Sequence, residues 1–255
     1  MTLLTSVPLS ALAIEDESDF EGMPLYPRLA RALLDADVHY RVAAAGSALS
    51  SWGHVALLNH GFWTPEDSDD VLEGRVLTAD VVAHRAWHHL AAEALGDAAR
   101  SPEGLMLGES IASAFDAFML GDLLTRRPQA AMLESQLPVM MDAMADAGLA
   151  DTEAETVFAG FAEAPRRSFA DLRSLLYGTG VALWKSDDVD GAARVLESAS
   201  RHALAPVLHH YRLATWVLYA RAYASTDVDS APAIELAAEL HASDDPLELL
   251  VSRWL

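Results

Sequence analysis

The chain has 255 residues, 52% of them apolar, and carries 38 acidic residues against 17 basic ones for a formal charge of −21. That is enough apolar material for one large core or two small ones, while the acidic excess repels phosphate backbones and anionic bilayers, so neither nucleic acid nor a membrane is an expected partner. Cysteine is absent, which excludes disulfides, thiolate zinc sites, iron–sulfur clusters and a thiol nucleophile, and leaves His, Asp and Glu as the only side chains for a metal.

The opening MTLLTSVPLSALAIEDESDF has an apolar stretch but no basic flank, and it turns acidic at once, an unfavourable pattern for a secretory signal. No run approaches the roughly eighteen apolar residues of a membrane span, so the expected location is the cytoplasm. Apolar residues recur at three- and four-residue spacings through nearly the whole sequence, and runs of alternating β-branched residues are missing. The predicted class is all-α, a multi-helix bundle. In chain order the expected segments are PLYPRLARALLDAD, then 38–62, the acidic turn region TPEDSDDVLEGR, then 78–95, 102–124, 128–147 and 152–162. Thr78, followed by Ala79 and Asp80, is the expected N-cap of the fourth, and Gly96 its stop signal.

The texture changes near Arg166. Leu176, Gly180, Leu183, Ala192, Leu196 and Ala199 stand at the spacing of the tetratricopeptide repeat, and this segment resembles one such repeat, in which small residues let paired helices approach. VLHHYRLATWVLYARAYAS carries Leu213 and Ala214 near the places for a second copy, after which the register shifts. A helical hairpin closing a bundle explains the same pattern. The expected organisation is a helical bundle over 1–165 and repeat-like helical hairpins over 166–255, packed as one unit. The final DDPLELLVSRWL reads as a short amphipathic helix that docks Trp254 or presents it to a partner.

The chemistry concentrates in ADVVAHRAWHHLAAEAL, residues 79–95. At about 100° per residue His84 and His88 lie about 40° apart on one helix face, with Asp80, Trp87, Ala91 and Leu95 on the same side, whereas His89 points roughly 140° away. Two imidazoles one turn apart form a chelating pair suited to zinc or iron. The next helix offers LGESIASAFDAFML, where Glu109 and Asp116 share a face seven residues apart among Ile111, Phe115, Phe118 and Met119. Two acids on an otherwise apolar helix need a cationic partner, which a metal, Arg85, Arg126 or Arg127 can supply.

The order HRAWH, about twenty residues, then GESIASAFD resembles the helix pair of gluzincin metallopeptidases, in which His-Glu-x-x-His is followed by a Glu ligand on the next helix. The resemblance implies His84, His88 and Glu109 as ligands of a divalent metal. It places Arg85 where the family's catalytic Glu stands, and a guanidinium cannot take a proton from metal-bound water. A two-histidine, one-carboxylate set with open positions is also the arrangement of non-heme iron oxygenases, whose chemistry needs no general base beside the ligand. The expected function is therefore a metal-dependent helical enzyme, iron or zinc, acting oxidatively rather than hydrolytically on a small molecule or peptide bound between helices. Arg85 and Asp116 are the side chains expected to act beside the ion, with Asp116 or Asp80 orienting a ligand.

Two other readings fit the sequence. One is a non-catalytic interaction module, related to a degenerate zinc peptidase, that binds a protein partner through its C-terminal hairpins. The other is a metal-free helical binder of small molecules with Trp and Met lining a pocket. Of the remaining histidines, His54 and His60 diverge by about 120° on a predicted helix. His54, His209 and His210 stand as further candidate ligands. The sequence has no Gly-rich phosphate loop, Gly-x-Ser-x-Gly elbow or paired Glu-x-x-His motif.

Overall fold

A computed structural model of the chain describes residues 4–43 and 71–255. Eleven helices and five short strands lie among the described residues, and the class is all-α as the periodicity predicts. The chain forms two compact units, Met1–Ala86 and Trp87–Leu255, with the division falling inside one continuous helix, Ala79–Leu95.

The first unit holds strands that the helical period does not announce. Strand β1 (Leu4–Pro8) runs antiparallel to β3 (His39–Ala43), Leu4 opposite Ala43 and Pro8 opposite His39, and β3 is parallel to β4 (Val71–Leu72). β2 (Ala13–Ile14) pairs in parallel with β5 (Val76–Leu77). The expectation of a helix over 38–62 is thus corrected at its start: His39–Ala43 is extended because β1 offers it a ladder of backbone partners, and tertiary pairing of this kind overrides local period. The rest of that segment, including His54 and His60, lies outside the described residues. Helix α1 (Leu25–Asp35) does follow its pattern, burying Leu25, Tyr26, Leu29, Ala30 and Leu33 along one stripe. Phe20 packs on Tyr26 with ring centroids 5.2 Å apart.

Helix α2 (Ala79–Leu95) begins in this unit. The Thr78 carbonyl accepts from the Val82 N–H at 3.2 Å, as an N-cap carbonyl does. The Ala79 N–H donates to Asp16 Oδ1 at 2.7 Å, so an acid from far along the chain satisfies a donor at the helix start. At the other end Gly96 turns the chain with φ of +53°, where a side chain would be strained.

The second unit is organised around α3 (Pro102–Arg126), which packs against α4 (Ala131–Asp146), α5 (Asp151–Glu163), α6 (Pro165–Trp184), α9 (Leu213–Tyr223) and α10 (Ala231–Ala242). α3 is mostly buried in spite of its acids: Leu107, Ile111, Phe115, Met119 and Leu123 are all fully buried. Ser101 caps it, its Oγ accepting from the Gly104 N–H at 3.0 Å, with Pro102 in the first turn. Small residues set the approach of its neighbours. A Cβ on Gly121 would sit 2.1 Å from the Phe161 carbonyl oxygen, so α5 touches α3 backbone to backbone.

Helix α7 (Val189–Ala199) follows α6 and packs on it as a hairpin, while a Cβ on Gly180 would meet Met106 and Trp216 first. α7 itself has no buried residue, and Val189 and Leu196 are exposed. The segment 207–225, read as one helix, is broken: Arg212 adopts the left-handed conformation at φ 47°, separating α8 (Leu208–Tyr211) from α9. Tyr211 is thereby held with its hydroxyl donating to the Ser113 carbonyl at 3.2 Å. The last helix, α11 (Pro246–Trp254), lays Trp254 against the buried Trp87, ring centroids 6.2 Å apart. No helix among the described residues is long and apolar enough to cross a membrane.

Candidate metal centre

Helix α2 presents His84 and His88 one turn apart, separated by about 6 Å along the axis, both half-buried. Between them Trp87 is fully buried and meets Phe115 of α3 in a tilted ring contact at 5.3 Å, which fixes the face that α2 turns toward α3. The His88 ring lies over Gly108: a Cβ there would be in ordinary contact, 3.5 Å from Nδ1. The other ring nitrogen, Nε2, lies 3.7 Å from Glu109 Oε1.

His84, His88 and Glu109 each offer one donor atom such that all three atoms lie within 4.8 Å of one another. In a tetrahedral site with bonds of about 2.1 Å, neighbouring ligand atoms stand about 3.4 Å apart, so the His88–Glu109 distance needs almost no adjustment. The side chains of His88 and Glu109 are 27% and 34% exposed, so solvent or a small substrate can reach the group. Two neutral imidazoles and a carboxylate suit iron and zinc and leave positions for further ligands.

The other residues singled out in the sequence fall elsewhere or at the margin. His89 lies on another face of the helix, is no more exposed than His88, and pairs with Glu93 on its own helix at 3.6 Å. Asp116 stands seven residues beyond Glu109, about 10 Å along the α3 axis, and is not part of the three-residue group. Its charge acts on Tyr211, whose phenol is held well above its usual range first by burial and then by Asp116. Asp80 faces another acid: its charge adds to the burial that raises the Asp16 carboxyl. Arg85, next to His84, points about 100° around the helix from it. His209 and His210 lie on α8 and are not in the group. The His210 imidazole packs edge-on to Tyr211 at 5.0 Å, and burial, then Arg212, lowers its pKa.

One residue near the centre has no local sequence signal. The Tyr219 phenol on α9 is raised first by burial and next by the charge of Glu109. Nothing in the spacing of α9 links it to α3, since the link is made by packing alone.

No protein-family model, curated protein or solved structure matches the chain.

Proposed function

We propose that the protein is a metal-dependent helical enzyme that holds a divalent ion, iron ahead of zinc, through His84, His88 and Glu109. The observation that carries this reading is the convergence of three donor atoms from α2 and α3 within 4.8 Å. The same three positions carry the resemblance to the gluzincin helix pair. Arg85 in place of a general base turns the reading from hydrolysis to oxidation, because a bound iron supplies the activation of dioxygen itself. The protein's part is to hold three ligands on one side, leave the other side open, and place a small molecule or peptide there. Arg85 and Asp116 are proposed to act around that substrate, Arg85 as a fixed cation and Asp116 as an outer carboxylate. Cytoplasmic placement belongs to the same proposal, since ferrous iron is maintained in a reducing compartment.

The test is elemental analysis of untagged protein, loaded anaerobically with ferrous iron and then desalted. Wild type is expected to retain near-stoichiometric iron and His84→Ala to lose it, with a nitric oxide adduct of the wild-type ferrous protein giving a spin-resonance signal that reports an open position. Wild type and variant both emerging free of metal overturns the proposal.

A second reading is favoured by α7, whose apolar Val189 and Leu196 are 83% and 50% exposed. On that reading the C-terminal hairpins bind a protein partner and the histidines have no chemistry. Full-length protein that holds no metal, together with loss of partner capture in Val189→Asp/Leu196→Asp, would select it.

A further inference from the structure

Helix α7 presents an apolar seam to solvent. Its half-buried Ala192, Val195 and Ala199 lie on the side packed against α6. Val189, Ala193, Leu196 and Ser200 recur at steps of four, three and four, so they fall within about 60° of one another on a different face. All four are exposed, Val189 at 83% and Leu196 at 50%. That spacing is the seam of a two-stranded coiled coil. Ser200 extends it past the helix proper, because its backbone stays helical at φ −61° and ψ −15°.

The charges beside the seam decide what fits it. Asp190, Arg194, Glu197 and Arg201 follow the same steps along one edge of the seam, and all are exposed. On α6 the one-turn pair Arg167 and Asp171 meets at 3.5 Å. Asp190 and Arg194 have the same spacing, as do Glu197 and Arg201, yet among the described residues none of these four has an ion-pair partner in its own molecule. Their signs run acid, base, acid, base, a series that becomes its own complement when read backwards. When a two-fold axis relates two antiparallel helices, the same edge of each meets the other in reverse order. With the axis beside residues 195 and 196, Asp190 comes level with Arg201 of the second copy and Arg194 with Glu197, so every one of the four is matched. A parallel copy would set like charges opposite each other, and charge patterns of this kind fix partner and orientation in helix pairs. The four charges cancel, so this edge escapes the self-repulsion of a chain whose formal charge is −21.

We propose that α7 docks a second copy of this chain in an antiparallel, two-fold pair. The proposal takes from the second reading above only the docking role of α7, and it holds whether or not the histidines bind a metal. Leu196 lies beside the axis against its counterpart, and Ala193, with a single methyl group, lets the two helices approach. A contact made by one short helix from each copy falls below the roughly 1,200–2,000 Å² of stable interfaces, so the dimer forms reversibly.

The experiment is sedimentation velocity of untagged full-length protein over a concentration series reaching about 1 mM, where even weak contacts associate, with circular dichroism of every variant. Wild type is expected to pass from monomer to dimer along the series. Leu196→Asp puts a carboxylate at the axis and should remain monomeric. Arg194→Glu sets like charges against each other on both sides of the axis and should weaken association about tenfold or more, as should Glu197→Arg. Arg194→Glu/Glu197→Arg restores opposite charges across the axis and should return to within about threefold of wild type. All of these positions are exposed on a helix with no buried residue, so native helicity is expected throughout. Wild type that stays monomeric along the whole series overturns the proposal, and so does a dimer that Leu196→Asp leaves intact. A double variant no stronger than either single one overturns the antiparallel alignment and the proposal with it. Metal retention, measured separately, stands or falls independently of all these outcomes.

Discussion

Replacing Glu109 by Gln separates a structural carboxylate from a metal ligand, because the two roles predict stability changes of different size under different conditions. In the metal-free protein Glu109 pairs with His88 at 3.7 Å, and the two side chains are 34% and 27% exposed. A pair that open to water contributes at most about 1 kcal/mol after screening. For a chain of this length about 1 kcal/mol corresponds to roughly 2–4 °C in melting temperature, which bounds the effect of Glu109→Gln without metal. With metal at about a hundred times its dissociation constant, binding to the native state adds about 2.7 kcal/mol, or roughly 5–10 °C. Wild type should gain that increment and Glu109→Gln should lose most of it, as should His84→Ala and His88→Ala. His89→Ala should keep the whole increment, since His89 pairs with Glu93 away from the centre. Calorimetric melts of chelator-stripped protein, with and without zinc as a redox-silent ion, measure all five proteins. Equal metal-induced shifts in wild type and Glu109→Gln, or none in wild type, would refute the reasoning.

Other changes test the frame that holds the centre. Gly121→Ala drives a methyl to 2.1 Å from the Phe161 carbonyl oxygen, which is backbone and cannot turn aside, so it should lower stability by about 3 kcal/mol or more in denaturant melts. Trp87→Ala removes a fully buried ring that meets Phe115 and Trp254, and should cost about 3–5 kcal/mol while weakening metal retention through the displaced His84–His88 face. Asp16 is raised by burial, so its native form holds a proton more tightly than its unfolded form. Its contribution is fully present below the ordinary carboxylate pKa and declines as pH rises through the elevated native value. Asp16→Asn keeps an acceptor for the Ala79 N–H and removes the titration, so its stability should be flatter than wild type over that window in urea melts at stepped pH.

The all-α class and the span of most helices were legible because helical burial repeats every 3.6 residues and is written locally. Helix α1 shows it in Leu25, Leu29 and Leu33, and α3 in Leu107, Ile111, Phe115, Met119 and Leu123. The strands were not legible, since His39–Ala43 is extended only because Leu4–Pro8, over thirty residues earlier, pairs with it. Nor was the break at Arg212, where a non-glycine residue takes a left-handed conformation that only its surroundings enforce. Within the centre, the His84–His88 pair is a property of one helix and the period alone puts both rings on one side. The separation of His89 onto another face, half-buried beside Glu93, follows from the same angle.

What the sequence by itself determined is therefore everything confined to one helix: a chelating pair at a four-residue spacing, an acid-bearing helix after it, and Arg85 where a general base would be needed. Tertiary structure alone decided which distant groups meet that pair. Glu109 reaches His88 because Trp87 and Phe115 lock the facing sides of α2 and α3. Asp116 fails to join because two turns of helix carry it about 10 Å away. Tyr211 meets the Ser113 carbonyl, and the Ser225 N–H the Arg100 carbonyl, across more than ninety residues of chain. Periodicity fixes directions about a helix axis, whereas distances between helices are set by which side chains fill the space between them, and that is a property of the whole packed chain.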